Sequence, residues 1–311
     1  MLPFCAAFKG SGSCTILSMG IFYGLTAAVF WGLGDFFARS VGQRIGGYRA
    51  LCYQQFVGIV GLTLYLLATG TLVHIFVHHN WQIWLWASLA VILNLCGSLA
   101  LYRAFEVGVL SLVSPIASSY AIVTVILAFL SGEVLTAIQN LAIVFVLLGV
   151  IVCSIPAKRT TGSLKQMLRW HDGSLQGIIM ALIAALGYGA TFWLLGFLVT
   201  PGLGSITPIW LIRIMTPCIL FVFAPLMKQS LKFPPRSLWW ALIAVGFFDT
   251  LAYIGYTTGM LQGEISLVTM FSSLYSVVTI ILAWIFLRER LYRNQWLGIV
   301  VILFGIFLVN V

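Results

Sequence analysis

Charge is what this sequence most lacks. Only 7% of its 311 residues are charged, seven acidic and sixteen basic. A soluble domain cannot cover its surface with so few charges, so a water-soluble fold is excluded. The six cysteines (5, 14, 52, 96, 153 and 218) form no Cys-x-x-Cys pair, and four lie in apolar runs. They read as small packing residues and identify no redox compartment. There is no Walker motif, no dinucleotide glycine fingerprint and no Cys/His metal constellation. ATP is therefore not the expected energy source, and neither cofactor nor metal is expected. His74, His78 and His79 cluster in a predicted loop, but three histidines alone do not set a metal geometry. No grouped nucleophile and base points to an enzyme.

What the chain has instead is apolar length: 61% of it is hydrophobic. A spanning helix needs about 20 mainly apolar residues. Ten such segments fit, approximately at 20–38, 48–69, 82–104, 109–130, 137–155, 175–198, 206–227, 237–260, 265–287 and 294–310. These runs are far longer than the roughly 10-residue alternating strands of a membrane barrel. The expected fold is an all-α polytopic membrane protein with ten transmembrane helices.

The net charge of +9 raises nucleic acid as a partner, but its distribution argues otherwise. The loops after spans 1, 3, 5, 7 and 9, with the span ends beside them, hold fourteen of the sixteen basic residues, from Arg39, Arg44 and Arg49 to Arg288, Arg290 and Arg293. The loops after the even-numbered spans hold none. The other two are Lys9, ahead of the first span, and Arg213, inside the seventh. Positive loops stay cytoplasmic. Both termini are therefore expected on the non-cytoplasmic side, with the basic loops near anionic lipid heads and no nucleic-acid partner.

The chain also repeats itself. Gly108, Ser111, Leu112, Val113, Ser118 and Tyr120 fall on Gly263, Ser266, Leu267, Val268, Ser273 and Tyr275 at an offset of 155. One residue of slip later, Glu133, Gln139 and Gly149 fall on Glu289, Gln295 and Gly305. Near the starts, Gly20, Ala27, Ala28 and Gly32 fall on Gly177, Ala184, Ala185 and Gly189. The expected organisation is a repeat over 20–155, a cytoplasmic linker over 156–174 and a second repeat over 175–311. Residues 1–19 read as an N-terminal segment, with Met19 as the expected true start and the residues before it extra or disordered. Five spans per repeat is an odd number, so the second copy enters the membrane upside down. Inverted repeats place a binding site where they meet.

These motifs carry a resemblance. The five-span duplication, the Gly…Ser-Leu-Val…Pro start of span 4, the Gly132-Glu133 to Gln139 pattern with its second copy at Glu289 to Gln295, and the run from Ala27 to Asp35 resemble the EamA-like branch of the drug/metabolite transporter superfamily. The resemblance covers 20–311. It implies a ten-helix basket with a central cavity, exporting small organic metabolites, amino acids or drugs by alternating access. The chain departs from the family twice: Met270 stands where the first copy has Pro115, and the charge tally puts the termini outside.

Charges inside spans are costly and usually functional. Asp249 lies mid-span and reads either as a proton or substrate coupling group or as half of a structural ion pair. Arg213 needs an acceptor, which is either Asp249 or a substrate carboxylate. If the two pair, the aspartate stays ionised and the proton-carrier reading weakens. Asp35 stands four residues before Arg39, a spacing that allows a same-face pair. Aromatic and polar residues on the spans expected to line the cavity complete the candidate site: Trp31, Asn94, Tyr102, Ser119 and Tyr120 from the first repeat, Tyr188, Tyr253, Ser273 and Tyr275 from the second. Such walls suit amphipathic solutes.

The expected function is a secondary transporter of small organic metabolites, amino acids or drugs among them, an exporter driven by a proton or solute gradient, with lipid as its surroundings. The expected location is a bacterial inner (plasma) membrane. The rival is a non-transporting membrane protein, a lipid-handling enzyme or a sensor, which would need a clustered catalytic set or a soluble domain. Oligomeric state leaves no mark in the sequence.

Overall fold

Every regular element among the described residues is helical. The computed structural model describes residues 11–71, 81–108, 110–154, 172–287 and 293–309. The histidine cluster, most of the linker and the loop holding Arg288, Glu289 and Arg290 lie outside them.

The helices of the first half are α1 (Ser11–Ile45), α2 (Gly47–Ala68), α3 (Trp81–Val107), α4 (Leu110–Ser118), α5 (Tyr120–Leu130) and α6 (Ala137–Ser154). The second half has α7 (Asp172–Leu194), α8 (Thr200–Leu203), α9 (Thr207–Phe223), α10 (Trp239–Gln262), α11 (Ile265–Ser272), α12 (Tyr275–Leu287) and α13 (Arg293–Val309). Seven helical stretches are long and apolar enough to cross a membrane. Three shorter apolar helices, Ala137–Gly149, Thr207–Phe223 and Trp296–Gly305, fall where the other spans are expected. Phe22, Leu64, Leu186, Phe247 and Val300 point outward and are more than half exposed. In water such a coat would aggregate; in lipid it is solvated, and each helix satisfies its own backbone polar groups. The chain is an integral membrane protein.

The structure differs from the sequence expectation in three places. The first span is longer than 20–38: α1 starts at Ser11, ahead of Met19, so residues 11–18 are helical rather than disordered. Leu195–Val199 forms a π-turn beyond α7 that carries the chain into α8. The fourth and ninth spans are each two helices, broken at Ser119 and at Ser273–Leu274.

The first break does not need its proline. Pro115 sits inside α4, and the second span breaks at the equivalent place although Met270 has replaced it. Serine is common to both. Ser118 Oγ and Ser119 Oγ donate back to the carbonyls of Pro115 and Ile116 at 2.8 and 2.6 Å. Ser272 Oγ and Ser273 Oγ donate to those of Thr269 and Met270 at 2.9 and 2.6 Å. Hydroxyls that bind nearby carbonyls compete with the helical ladder. The amides of Ser119 and Leu274 then bond three residues back, to Ile116 and Phe271.

Each repeat's first helix packs on the other repeat. α1 lies along α10 and against α11 and α12, while α7 lies along α3 and against α4 and α5. Glycines at matching positions make this possible. A Cβ on Gly32 would fall 2.6 Å from the Val278 side chain, and one on Gly189 would fall 2.5 Å from that of Val123. α6 and α13 close on each other in the same reciprocal way: Gly149 faces Ile302 and the Gly298 carbonyl, and Gly305 faces Val146 and the Ala142 carbonyl. Small residues let helix backbones approach where lipid offers no hydrophobic drive.

Candidate functional site: a central polar cavity

The interlocked helices leave a cavity between mid-bundle and the end carrying the basic residues, with about 610 Å³ of empty space once the part open to the outside is included. Both halves of the chain line it. Ten of the twelve candidate residues are in its wall: Trp31, Asp35, Asn94, Tyr102 and Tyr120 from the first half, Tyr188, Arg213, Asp249, Tyr253 and Tyr275 from the second. Ser119 and Ser273 are not, because their hydroxyls are spent on the helix breaks.

Asp249 anchors the cavity. Its Oδ2 accepts from Arg213 Nη1 at 2.8 Å, and its Oδ1 accepts from Trp31 Nε1 at 3.1 Å. Arg213 Nη1 also donates to Gln55 Oε1 at 2.7 Å, and its Cζ lies 5.1 Å from the centre of the Tyr253 ring. The partners differ in access: 2% of the Arg213 side chain is exposed against 22% of Asp249. The guanidinium is sealed in protein, while the carboxylate faces the cavity. Gly58 makes room for this arrangement, since a Cβ there would come within 2.7 Å of both Arg213 Cδ and Thr250 Oγ1. Of the two readings left open for Arg213, pairing with Asp249 is the one formed.

Asp35 behaves otherwise than its spacing implies. No ion pair with Arg39 is formed among the described residues; Ser114 Oγ donates to Asp35 Oδ2 at 3.5 Å. At the offset relating α1 to α7, Phe192 stands where α1 has Asp35. The repeat match thus sets a carboxylate on one side of mid-bundle and an aromatic ring on the other.

The far side is closed by rings. Trp31 has Tyr253 and Tyr256 at 5.3 Å and Phe192 at 5.4 Å between ring centres. Tyr120 and Tyr275 stack beside them, 6.2 Å apart at 12°. Their hydroxyls are satisfied: Tyr120 Oη is 2.7 Å from Ser272 Oγ, and Tyr275 Oη donates to the Ser114 carbonyl at 3.4 Å. Asn94 Nδ2 donates to Tyr253 Oη, and Tyr188 Oη donates to Ser98 Oγ at 3.0 Å. These four tyrosines stay as walls because their hydroxyls have partners.

Sequence reasoning missed Gln54 and Gln55. Both are buried, at 2% and 1% exposure, and both line the cavity. Two adjacent amides in an otherwise apolar span were the available signal.

A second polar link lies outside the spans, at the end away from the basic residues. Glu133 receives the Ser266 amide on both carboxylate oxygens at 3.2 Å, and the Ser266 hydroxyl as well. It thereby ties the loop after α5 to the start of α11. Burial pushes the Glu133 carboxyl above its ordinary range, and the Ser266 hydrogen bonds pull it partly back.

The sequence matches the EamA-like transporter family twice, over residues 18–155 and 175–311. Two matches cover most of the chain and coincide with the two interlocked halves. The chain belongs to the EamA-like transporter family. It is 34% identical over 140 residues to the uncharacterized protein MJ1333.1 of Methanocaldococcus jannaschii, a stretch covering 45% of this chain and 98% of that one. That relative therefore has about the length of one EamA-like repeat. The backbone also resembles a protein of known crystal structure, with a TM-score of 0.71 and 16% identity over 94% of this chain and 96% of that one. At that identity the likeness concerns the fold alone. As an EamA-like protein, the chain is a membrane transporter of the drug/metabolite type.

Proposed function

We propose that this protein exports small organic metabolites by alternating access, with the central cavity as its binding site. The seven long helices and three shorter ones make ten spans, arranged as two inverted five-helix repeats. The basic end faces the cytoplasm, both termini lie outside, and the membrane is a bacterial plasma membrane. In this orientation the structure is an inward-facing state, since the cavity lies on the basic side and the aromatic layer lies beyond it.

One observation carries the reading: a polar cavity in a lipid-coated bundle, walled by both repeats and holding an interior ion pair. Charged side chains at that depth are retained where a solute path needs them. The pair holds Asp249 in place beside Arg213, so it serves as a fixed part of the wall. The driving force is a solute or proton gradient, because the chain carries no nucleotide-binding motif.

The test is flux in proteoliposomes loaded with small metabolites of different charge, with and without a pH gradient. Saturable flux that is lost when Trp31→Ala removes part of the wall supports the proposal. Folded protein that moves no solute, but acts on its own lipid, overturns it. Orientation has a separate test: a C-terminal alkaline phosphatase fusion is active if the terminus is outside and silent if it is not.

A further inference from the structure

The Gly132-Glu133 to Gln139 motif, none of whose residues line the cavity, builds a rigid strut at the end of the bundle away from the basic residues. Gly132 takes the left-handed conformation, φ 92°, and ends α5. There the Ser131 amide bonds back to the Leu127 carbonyl, the Gly132 amide to that of Phe129 and the Glu133 amide to that of Ala128. A residue with a Cβ rarely adopts this conformation, so glycine fits the turn. On the other side of Glu133, α6 starts with a capping box. The Gln139 amide donates to Thr136 Oγ1 at 3.3 Å, and the Thr136 amide donates to Gln139 Oε1 at 2.8 Å. Both ends of the short loop are fixed, and Glu133 is held between them.

What Glu133 meets belongs to the other repeat. The first amides of a helix have no partner inside it, and in α11 the Val268 amide bonds to the Glu264 carbonyl at 3.1 Å, leaving the amides before it to find acceptors elsewhere. The N-cap residue of α11, Glu264, makes no side-chain cap. Glu133 takes that role from across the interface, accepting both the amide and the hydroxyl of Ser266. A carboxylate at a helix N-terminus satisfies exposed amides and is favoured by the helix dipole. The same loop holds a second link between the repeats: Trp193 Nε1, near the end of α7, donates to Ser131 Oγ at 2.8 Å.

The two points joined are the ends of the two broken spans. The span made of α4 and α5 finishes at the loop of Glu133, and the span made of α11 and α12 begins beside Ser266. The aromatic layer lies between this link and the cavity, with Tyr120 Oη of α5 2.7 Å from Ser272 Oγ of α11. We propose that Glu133 is the latch of the outer gate: its carboxylate caps α11 while the cavity faces the cytoplasm and lets go when the carrier opens outward. This rests on the carrier reading and on the orientation given above. Opening the cavity to the outside parts the repeats at this end, and so parts α5 from α11. Release is reversible, because water at the membrane surface solvates the freed carboxylate and the freed amide. A rigid strut with one exchangeable contact gives the gate two defined positions rather than a gradual loosening.

The experiment reads access to the cavity from each side. Ser98 lies in the cavity wall. Ser98→Cys, in the full chain with its six native cysteines replaced by alanine, is the target of a membrane-impermeant maleimide. Labelling is timed from outside in intact cells and from the cytoplasmic side in inverted vesicles, with the sides fixed by the C-terminal fusion. The outside rate reports the outward-facing fraction. Glu133→Ala should raise the outside rate relative to the cytoplasmic rate by roughly ten-fold or more, the effect of losing hydrogen bonds to a charged group. Glu133→Gln, which keeps an acceptor for the Ser266 amide, should raise it less. If Glu133→Ala does not fold, Ser266→Ala, which removes only the hydroxyl, should raise the same ratio.

A ratio that stays at the wild-type value overturns the proposal. So do outside and cytoplasmic rates that rise together, because a purely structural cap would loosen the whole bundle without favouring one side. Flux in proteoliposomes separates the latch from the carrier. Wild-type flux together with an unchanged ratio removes the latch and leaves the carrier standing. Absence of wild-type flux for solutes of every charge removes the carrier reading, and the latch with it.

Discussion

Tyr120 and Tyr275, which occupy equivalent positions in the two repeats, stack on each other at 12° and 6.2 Å. Each follows its repeat's helix break directly, as the first residue of α5 or α12. The breaks therefore bring the two rings face to face where the repeats meet, and the stack forms part of the layer that ends the cavity.

This contact predicts a pair of coupled losses. Tyr120→Ala and Tyr275→Ala should each cost about 3–5 kcal/mol of stability, since each opens a buried ring-sized space. The double variant should cost less than the sum, by about 0.5–1.5 kcal/mol for the stack itself. Thermal unfolding in detergent measures all three. Strict additivity would mean that the rings do not act together.

The Arg213–Asp249 pair predicts unequal costs for its two members. Asp249→Leu strands a sealed guanidinium and should cost about 3–5 kcal/mol. Arg213→Leu should cost less, because Asp249 keeps 22% of its side chain accessible and water in the cavity can solvate it. Replacing both with apolar residues should recover much of the loss. A double variant as unstable as the sum of the singles would refute this account.

Close backbone approach predicts which glycines cannot be changed. Gly149→Ala puts a methyl 2.6 Å from Ile302 Cγ1 and 2.8 Å from the Gly298 carbonyl; Gly305→Ala puts one 2.7 Å from Val146 Cγ2 and 2.9 Å from the Ala142 carbonyl. Each should lose about 1–3 kcal/mol. Gly61→Ala, with nothing within 4 Å, should be neutral or gain up to about 1 kcal/mol from helix propensity. Melting temperatures of the three variants decide it, and a loss at Gly61 equal to the others would count against packing as the cause.

Much of this architecture is legible in the sequence because the signals are local or periodic. Apolar length marks the helices, and fixed offsets mark the repeat. Aromatic and polar residues inside spans point to ten of the residues that line the cavity. Contacts between distant segments are harder to read. Gln55 meets Arg213 across 158 positions, and nothing near either residue announces the other. Spacing also misleads at Asp35, where Arg39 stands four residues away but the helix presents the carboxylate to the cavity. The substitution of Pro115 by Met270 looks like a change of bend, yet the serines carry the break in both copies.

Glu133 predicts a pH effect with a defined sign. Its folded carboxyl is raised above the ordinary 4.5 by burial, so the folded chain holds a proton that the unfolded chain has released. The stability this contributes is full below the ordinary value and is lost as pH rises through the raised one. Glu133→Gln removes the titrating group while keeping an acceptor for the Ser266 amide. The stability of wild type relative to Glu133→Gln should therefore fall with rising pH across that window and stay level above it. Melting curves at stepped pH measure the difference; a difference that grows with pH would reverse the sign and refute the assignment.

The cross-packing of α1 also sets an order of events during synthesis. Its partners α10 to α12 begin at Trp239 and end at Leu287, some two hundred residues after α1 itself ends. At ordinary translation speeds that is a wait of about 10–40 seconds. During it, the glycine face of α1 must rest against lipid or against the insertion machinery, with no native neighbour from the second half. Half a chain is therefore no halfway house to the finished carrier. The nascent first repeat keeps that face uncovered until the second repeat arrives to claim it.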